Sequence, residues 1–133
     1  MVKASFTVYG DVWSPDLLSS ALDVQPTNTV LKGVVPRPMR PPAPYTEWTC
    51  ETPELESGNV DGPFKTLLEP FAGKTAILSA FVKQHGLRVI VNLVIQVKRD
   101  LPELFVSEAN VRLLAALGAN LGLDVYILDL PND

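Results

Sequence analysis

Leu87 to Lys98 is the stretch that most limits what this chain can become. Leu87, Val89, Val91, Leu93, Ile95 and Val97 make one unbroken apolar face, and Arg88, Ile90, Asn92, Val94, Gln96 and Lys98 make a mixed one. Strict period two means a strand. So long an apolar face means a central strand, covered well on one side and partly on the other. The rest of the chain has to supply neighbouring strands and a helical cover for that face.

Other segments read as those parts. Residues 3–9 alternate, with Ala4, Phe6 and Val8 opposite Ser5, Thr7 and Tyr9. Ser14-Pro15-Asp16 is a helix start: a capping hydroxyl, proline at the first helical position, and a carboxylate at the positive end of the dipole. Leu17, Leu18, Ala21 and Leu22 form the apolar side of that helix. A second strand is expected at Thr29–Lys32. Five prolines then fall within nine residues, at 36, 38, 41, 42 and 44. The connector at 34–44 therefore lacks the amide donors of a helix or central strand, and should run extended, near polyproline II.

Tyr45 to Glu51 resumes alternation, with Thr46, Trp48 and Cys50 on one side. Phe64, Leu67, Leu68 and Phe71 recur at helical spacing, and so do Ile77, Leu78, Phe81 and Val82. Pro70 and Gly73 predict a break between two short helices, and Gly86 is the expected stop of the second. Ser107 caps a last helix with Val111, Leu114, Ala115 and Leu117 as its buried positions. Leu123–Leu128 is the last strand. Together these predict a single α+β domain over 1–133: a mostly antiparallel sheet of about five strands with helices on one face. Val12–Leu18 echoes Phe105–Glu108, each followed by a leucine-rich helix and a strand. Either the domain is two related strand–helix–strand halves, or capped helices before strands simply recur.

Those same residues carry a family resemblance. The opening strand ends in Gly10, then come Ser14-Pro15-x-x-Leu18, Pro26, Lys32-Gly33, and Trp48 before Cys50-Glu51-Thr52. The chain closes with Ser107-Glu108-x-x-Val111, Leu117-Gly118-Ala119-x-Leu121 and Leu123-Asp124-Val125-Tyr126. In order and spacing this resembles the uncharacterised bacterial family known as domain of unknown function 4279, over nearly the whole chain. It departs at Thr46-Glu47, where glycine is expected, and at Gly122-Leu123, where a more polar or β-branched pair is usual. The resemblance implies a fold and brings no reaction with it.

Chemistry is sparse in the sequence. One cysteine excludes an intramolecular disulfide framework, and one histidine leaves little for a triad or metal centre. Gly73-Lys74-Thr75 is no phosphate loop: the required glycine five positions earlier is Leu68, and no strand precedes it. Lys74 reads as a solvated helix residue. His85 sits at a helix end, where the dipole favours a cation. Cys50 has no adjacent cation to lower its pKa. Asp124 and Asp129 could pair at a strand end, but too few oxygen ligands converge there for a metal. The expectation is a non-enzymatic protein with no cofactor.

Charge is more informative. Fifteen acidic residues face eleven basic ones, for a net charge of −4, which disfavours direct binding of nucleic acid. Between Arg40 and Lys65 stand Glu47, Glu51, Glu54, Glu56 and Asp61 with no basic residue, and after Arg112 stand Asp124, Asp129 and Asp133. The N-terminus alternates like a strand, and the longest apolar run, Leu113–Ala119, is far below the ~20 residues of a membrane helix. This predicts a cytoplasmic protein that does not enter a membrane. The leading expectation is an immunity-type inhibitor of a bacterial toxin, for instance a nuclease. It would bind a basic protein surface through Glu51, Glu54, Glu56 and Asp61, or through Arg37 and Arg40. The alternative is a small-ligand-binding or accessory module with a pocket at Trp13, Trp48, Arg37 and Arg40.

Overall fold

A computed structural model describes residues 1–35 and 37–128. In chain order the elements are β1 (Val2–Gly10), α1 (Pro15–Leu22), β2 (Asn28–Val30), β3 (Thr46–Glu51) and α2 (Asp61–Leu68). A 3-10 turn (Glu69–Phe71) leads to α3 (Thr75–His85), β4 (Arg88–Val97), α4 (Glu108–Ala116) and β5 (Asn120–Ile127). The five strands form one open sheet in the order β2-β3-β1-β4-β5. All neighbours are antiparallel except β4 and β5, which are parallel. This is the α+β architecture expected, and β4 is interior to the sheet.

The alternation of β1 and β4 decides which face is covered. Val2, Ala4, Phe6 and Val8 are fully buried, as are Val91, Leu93 and Ile95. Phe6 stacks on Phe71 at 4.3 Å between ring centroids, and Trp48 meets both rings edge-on at 6.3 and 6.2 Å. Edge-to-face and offset stacking suit the ring quadrupoles, so this cluster adds specific geometry to simple apolar burial. The predicted break between α2 and α3 is present, with Gly73 at φ 78° and Gly86 closing α3 at φ 63°. Glycine adopts such positive angles without the steric cost that a Cβ brings.

Several local expectations change. β2 covers Asn28–Val30, because Lys32 has already left the strand and gives its N–H to the Thr46 hydroxyl at 3.0 Å. The proline segment doubles back and does not run straight. Ala43 accepts from Gly33 N–H and donates to Val34, and a turn closes from Arg40 N–H to the Arg37 carbonyl, with Met39 at φ 64° at its tip. β5 begins at Asn120, three residues earlier than the alternation from Leu123 indicates. In α4 the buried side chains are Asn110 and the following Leu117; Val111 is 49% exposed. The reason is the partner: α4 packs on α2, and Asn110 faces Asp61 there. The two strand–helix–strand runs also differ in the sheet. β4 and β5 are neighbours, whereas β3 lies between β1 and β2.

Candidate functional site

One face of the sheet carries the helices; the other is open. On it stand Ser5, Thr7 and Tyr9 of β1, Glu47, Thr49 and Glu51 of β3, and Ile90 and Asn92 of β4. All are only half-buried, by their strand neighbours. The register sets rows across it: Glu47 beside Tyr9 beside Arg88, Thr49 beside Thr7 beside Ile90, and Glu51 beside Ser5 beside Asn92. The Thr7 and Thr49 hydroxyls bond each other at 3.0 Å across the strands. Tyr9 and Tyr45 form a tilted pair at 5.4 Å. A shallow cleft of about 500 Å³ lies between them, lined by Thr7, Tyr9, Tyr45, Glu47, Ile90 and Asn92. A second, of about 410 Å³, adjoins it under the proline loop, with Arg37, Arg40 and Val30 in its walls. Pro44 and Glu47 line both.

Strand-borne side chains are held firmly, so this face is preorganised for contact. Tyr9 was legible as a residue of the polar side of the first strand. Its pairing with Tyr45 was not, because that depends on where the proline loop returns.

The structure separates the acidic residues that the sequence groups together. Glu51 lies 3.4 Å from Lys3, an ion pair on the open face. Glu54 and Glu56 are exposed on the segment after β3. Asp61 is turned inward. Its carboxylate accepts the Ser107 backbone N–H at 2.7 Å and the Asn110 amide at 2.8 Å. The Ser107 bond, helped by Asn110 and nearby Lys65, holds its carboxyl below the ordinary 3.8 despite partial desolvation. Asp61 therefore joins α2 to α4. On the far strand, Asp124 shares the open face through its register with Val94; Asp129 and Asp133 lie outside the described residues. Arg37 and Arg40 are exposed on the proline loop.

Both tryptophans are structural. Trp48 is fully buried and donates its indole N–H to Ser19 Oγ at 2.9 Å, and Trp13 donates to the Thr46 carbonyl at 2.9 Å. Trp48 thus cannot line the pocket expected beside the proline loop. Lys74 is not merely solvated: its ammonium caps the Leu22 carbonyl at the end of α1, at 2.6 Å. The His85 ring lies 4.3 Å from Phe81 at the α3 terminus. Burial pushes the Cys50 thiol up to about 11, against a smaller opposing effect from the Thr27 backbone, so it is a thiol at neutral pH. Among the described residues no three His, Cys, Asp or Glu side chains gather as a metal site, and no helix is long and apolar enough to cross a membrane.

The departures from the family pattern have structural partners. Thr46 is buried, with its hydroxyl bonded to Lys32 and its carbonyl to Trp13. Gly122 lies under the Asn92 amide, where a Cβ would collide with Asn92 Oδ1.

Fold and site together describe a small α+β domain with one helix-covered and one open sheet face. The chain matches the model of the family described as "Domain of unknown function (DUF4279)" over residues 1–128, and it belongs to that family. No curated protein and no solved structure matches it.

Proposed function

We propose that this protein is a non-enzymatic binding module that receives a basic protein on the open face of its sheet. Its biological form would be a cytoplasmic, immunity-type inhibitor of a cationic toxin such as a nuclease. The observation that carries the reading is the Tyr9–Tyr45 pair beside Glu47 on a face without helices. Tyrosine offers large contact area with few torsions to freeze, and is enriched where proteins meet. Glu47 stands beside that pair, and Glu51 lies further along the same face opposite Ser5. The exposed Glu54 and Glu56 follow near the far end of β1 where Leu55 meets Val2, and the net charge of −4 adds a long-range field. Lys3 and Arg88 interrupt the negative surface, which favours a partner whose own charges are patterned.

The test is co-purification of the partner from the native host with the wild-type chain and with Tyr45→Ser and Glu47→Lys. The reading expects a basic protein that both variants lose while remaining folded. Retention by both variants contradicts it.

A second reading rests on the cleft under the proline loop. Arg37 and Arg40 line one opening, and two guanidinium groups suit a small carboxylate or phosphate. Stabilisation by such anions that disappears in Arg37→Ala and Arg40→Ala would favour this alternative.

A further inference from the structure

We infer that β5 is the edge through which two copies of this chain join, antiparallel, with Leu123 at the two-fold axis. The two sheet edges are unlike each other. β2 is three residues long and its chain runs straight into the proline loop, a common protection for an edge. β5 is eight residues long and pairs without a bulge to β4. It has no lysine, arginine or proline. Among the described residues nothing pairs with its outer side. Its side chains on the helix-bearing face are apolar and uncovered: Leu121 is 41% exposed, Leu123 55%, Val125 48% and Ile127 80%. A long, unbroken edge with an uncovered apolar side is what isolated proteins avoid.

Backbone direction and charge select the occupant. Leu128 N–H, at the end of β5, bonds inward to the Val97 carbonyl. Even positions therefore bond β4, and Leu121, Leu123, Val125 and Ile127 aim their N–H and C=O groups outward. A foreign basic partner would find a single carboxylate here, Asp124, so charge does not recommend one. A second copy fits instead. With Leu123 opposite Leu123 of the partner subunit, Leu121 faces Val125 of the partner subunit, Asp124 faces Gly122 of the partner subunit, and Tyr126 faces Asn120 of the partner subunit. No like charges are directly opposed. Sliding two residues one way sets Asp124 against its own copy, which is destabilising; sliding the other way leaves Tyr126, as well as Ile127, without an opposing β5 residue. An isologous pair of this kind is the commonest oligomer symmetry. It joins two five-stranded sheets into one and sets both Tyr9–Tyr45 faces on the same side. The inference does not depend on the partner proposed for those faces.

Sedimentation equilibrium of the full chain at micromolar concentrations should give twice the chain mass. Leu123→Lys, at a site already half exposed, should keep its circular dichroism and weaken the dimer at least tenfold. In a Cys50→Ser background, Leu123→Cys should cross-link rapidly on mild oxidation, because opposed strand residues lie within disulfide reach. Asp124→Cys should cross-link much more slowly. A monomeric wild type, a Leu123→Lys dimer as tight as the parent, or faster cross-linking at position 124 would each overturn the inference.

Discussion

Asp61 receives the Ser107 backbone N–H at 2.7 Å across 46 residues of sequence, and so fixes the first turn of α2 to the cap of α4. Ser107 in turn caps its own helix by accepting from Asn110 N–H at 3.3 Å. Asn110 returns its amide to Asp61, which closes the network.

This network predicts a pH dependence. The native carboxyl of Asp61 titrates below its unfolded value of 3.8, so its stabilisation is complete above that value and is lost as pH falls through the lower native one. Asp61→Asn should lower the melting temperature at pH 7. It should also flatten the wild-type loss of stability below about pH 4. Parallel acid melts for the two proteins would remove Asp61 from this role.

Ser19 and Trp48 make the second linkage. Removing the Ser19 hydroxyl leaves a buried indole N–H without its partner, at a cost of about 1–3 kcal/mol. Ser19→Ala should show that loss in urea unfolding. In a Trp48→Phe background the same change should cost much less, because the donor is gone. Equal costs in both backgrounds would mean the bond is not coupled to stability.

Val91 is fully buried mid-strand in β4. Val91→Asp places an unpaired charge in the core and should cost on the order of 3–5 kcal/mol. A mutant melting within a few degrees of the parent would contradict the placement of β4 as the interior strand.

Cys50, with its pKa raised from 9.0 to about 11, should react slowly with thiol reagents. Two pKa units reduce the thiolate fraction near pH 8 by roughly 100-fold relative to an ordinary cysteine. Because the native value is raised, the associated stability is intact below pH 9 and declines as pH rises towards 11. Labelling at the rate of a free thiol at pH 8 would refute the buried environment.

These contrasts show what a single sequence reveals. The covered face of β4, the α2–α3 break and the Gly86 stop were legible because each rests on residues a few positions apart. Apolar alternation from Leu123 showed that Leu123, Val125 and Ile127 share a face, but not that the strand begins at Asn120 or that the helices stop short of it. Val111 reads as a core residue from its spacing and nothing in the sequence singles out Asn110, because the environment of both is set by Asp61 and α2, far away in sequence. Asp61 reads like Glu54 in the chain; only the fold turns one inward and leaves the other in water. The Tyr9–Tyr45 pair needed the return path of the proline loop.

The central claim is that the open face binds a basic protein, and association kinetics test it most directly. With the co-purified partner, the rate should fall when Glu47, Glu51, Glu54 and Glu56 are changed to Gln, and more at low salt than at high salt. Stability should change little, since Glu54 and Glu56 are exposed and the Glu51–Lys3 pair is a solvent-accessible surface ion pair. Tyr45→Ser should act mainly by faster dissociation. A salt-independent rate, the same for parent and charge variant, together with unchanged dissociation in Tyr45→Ser, would contradict the account.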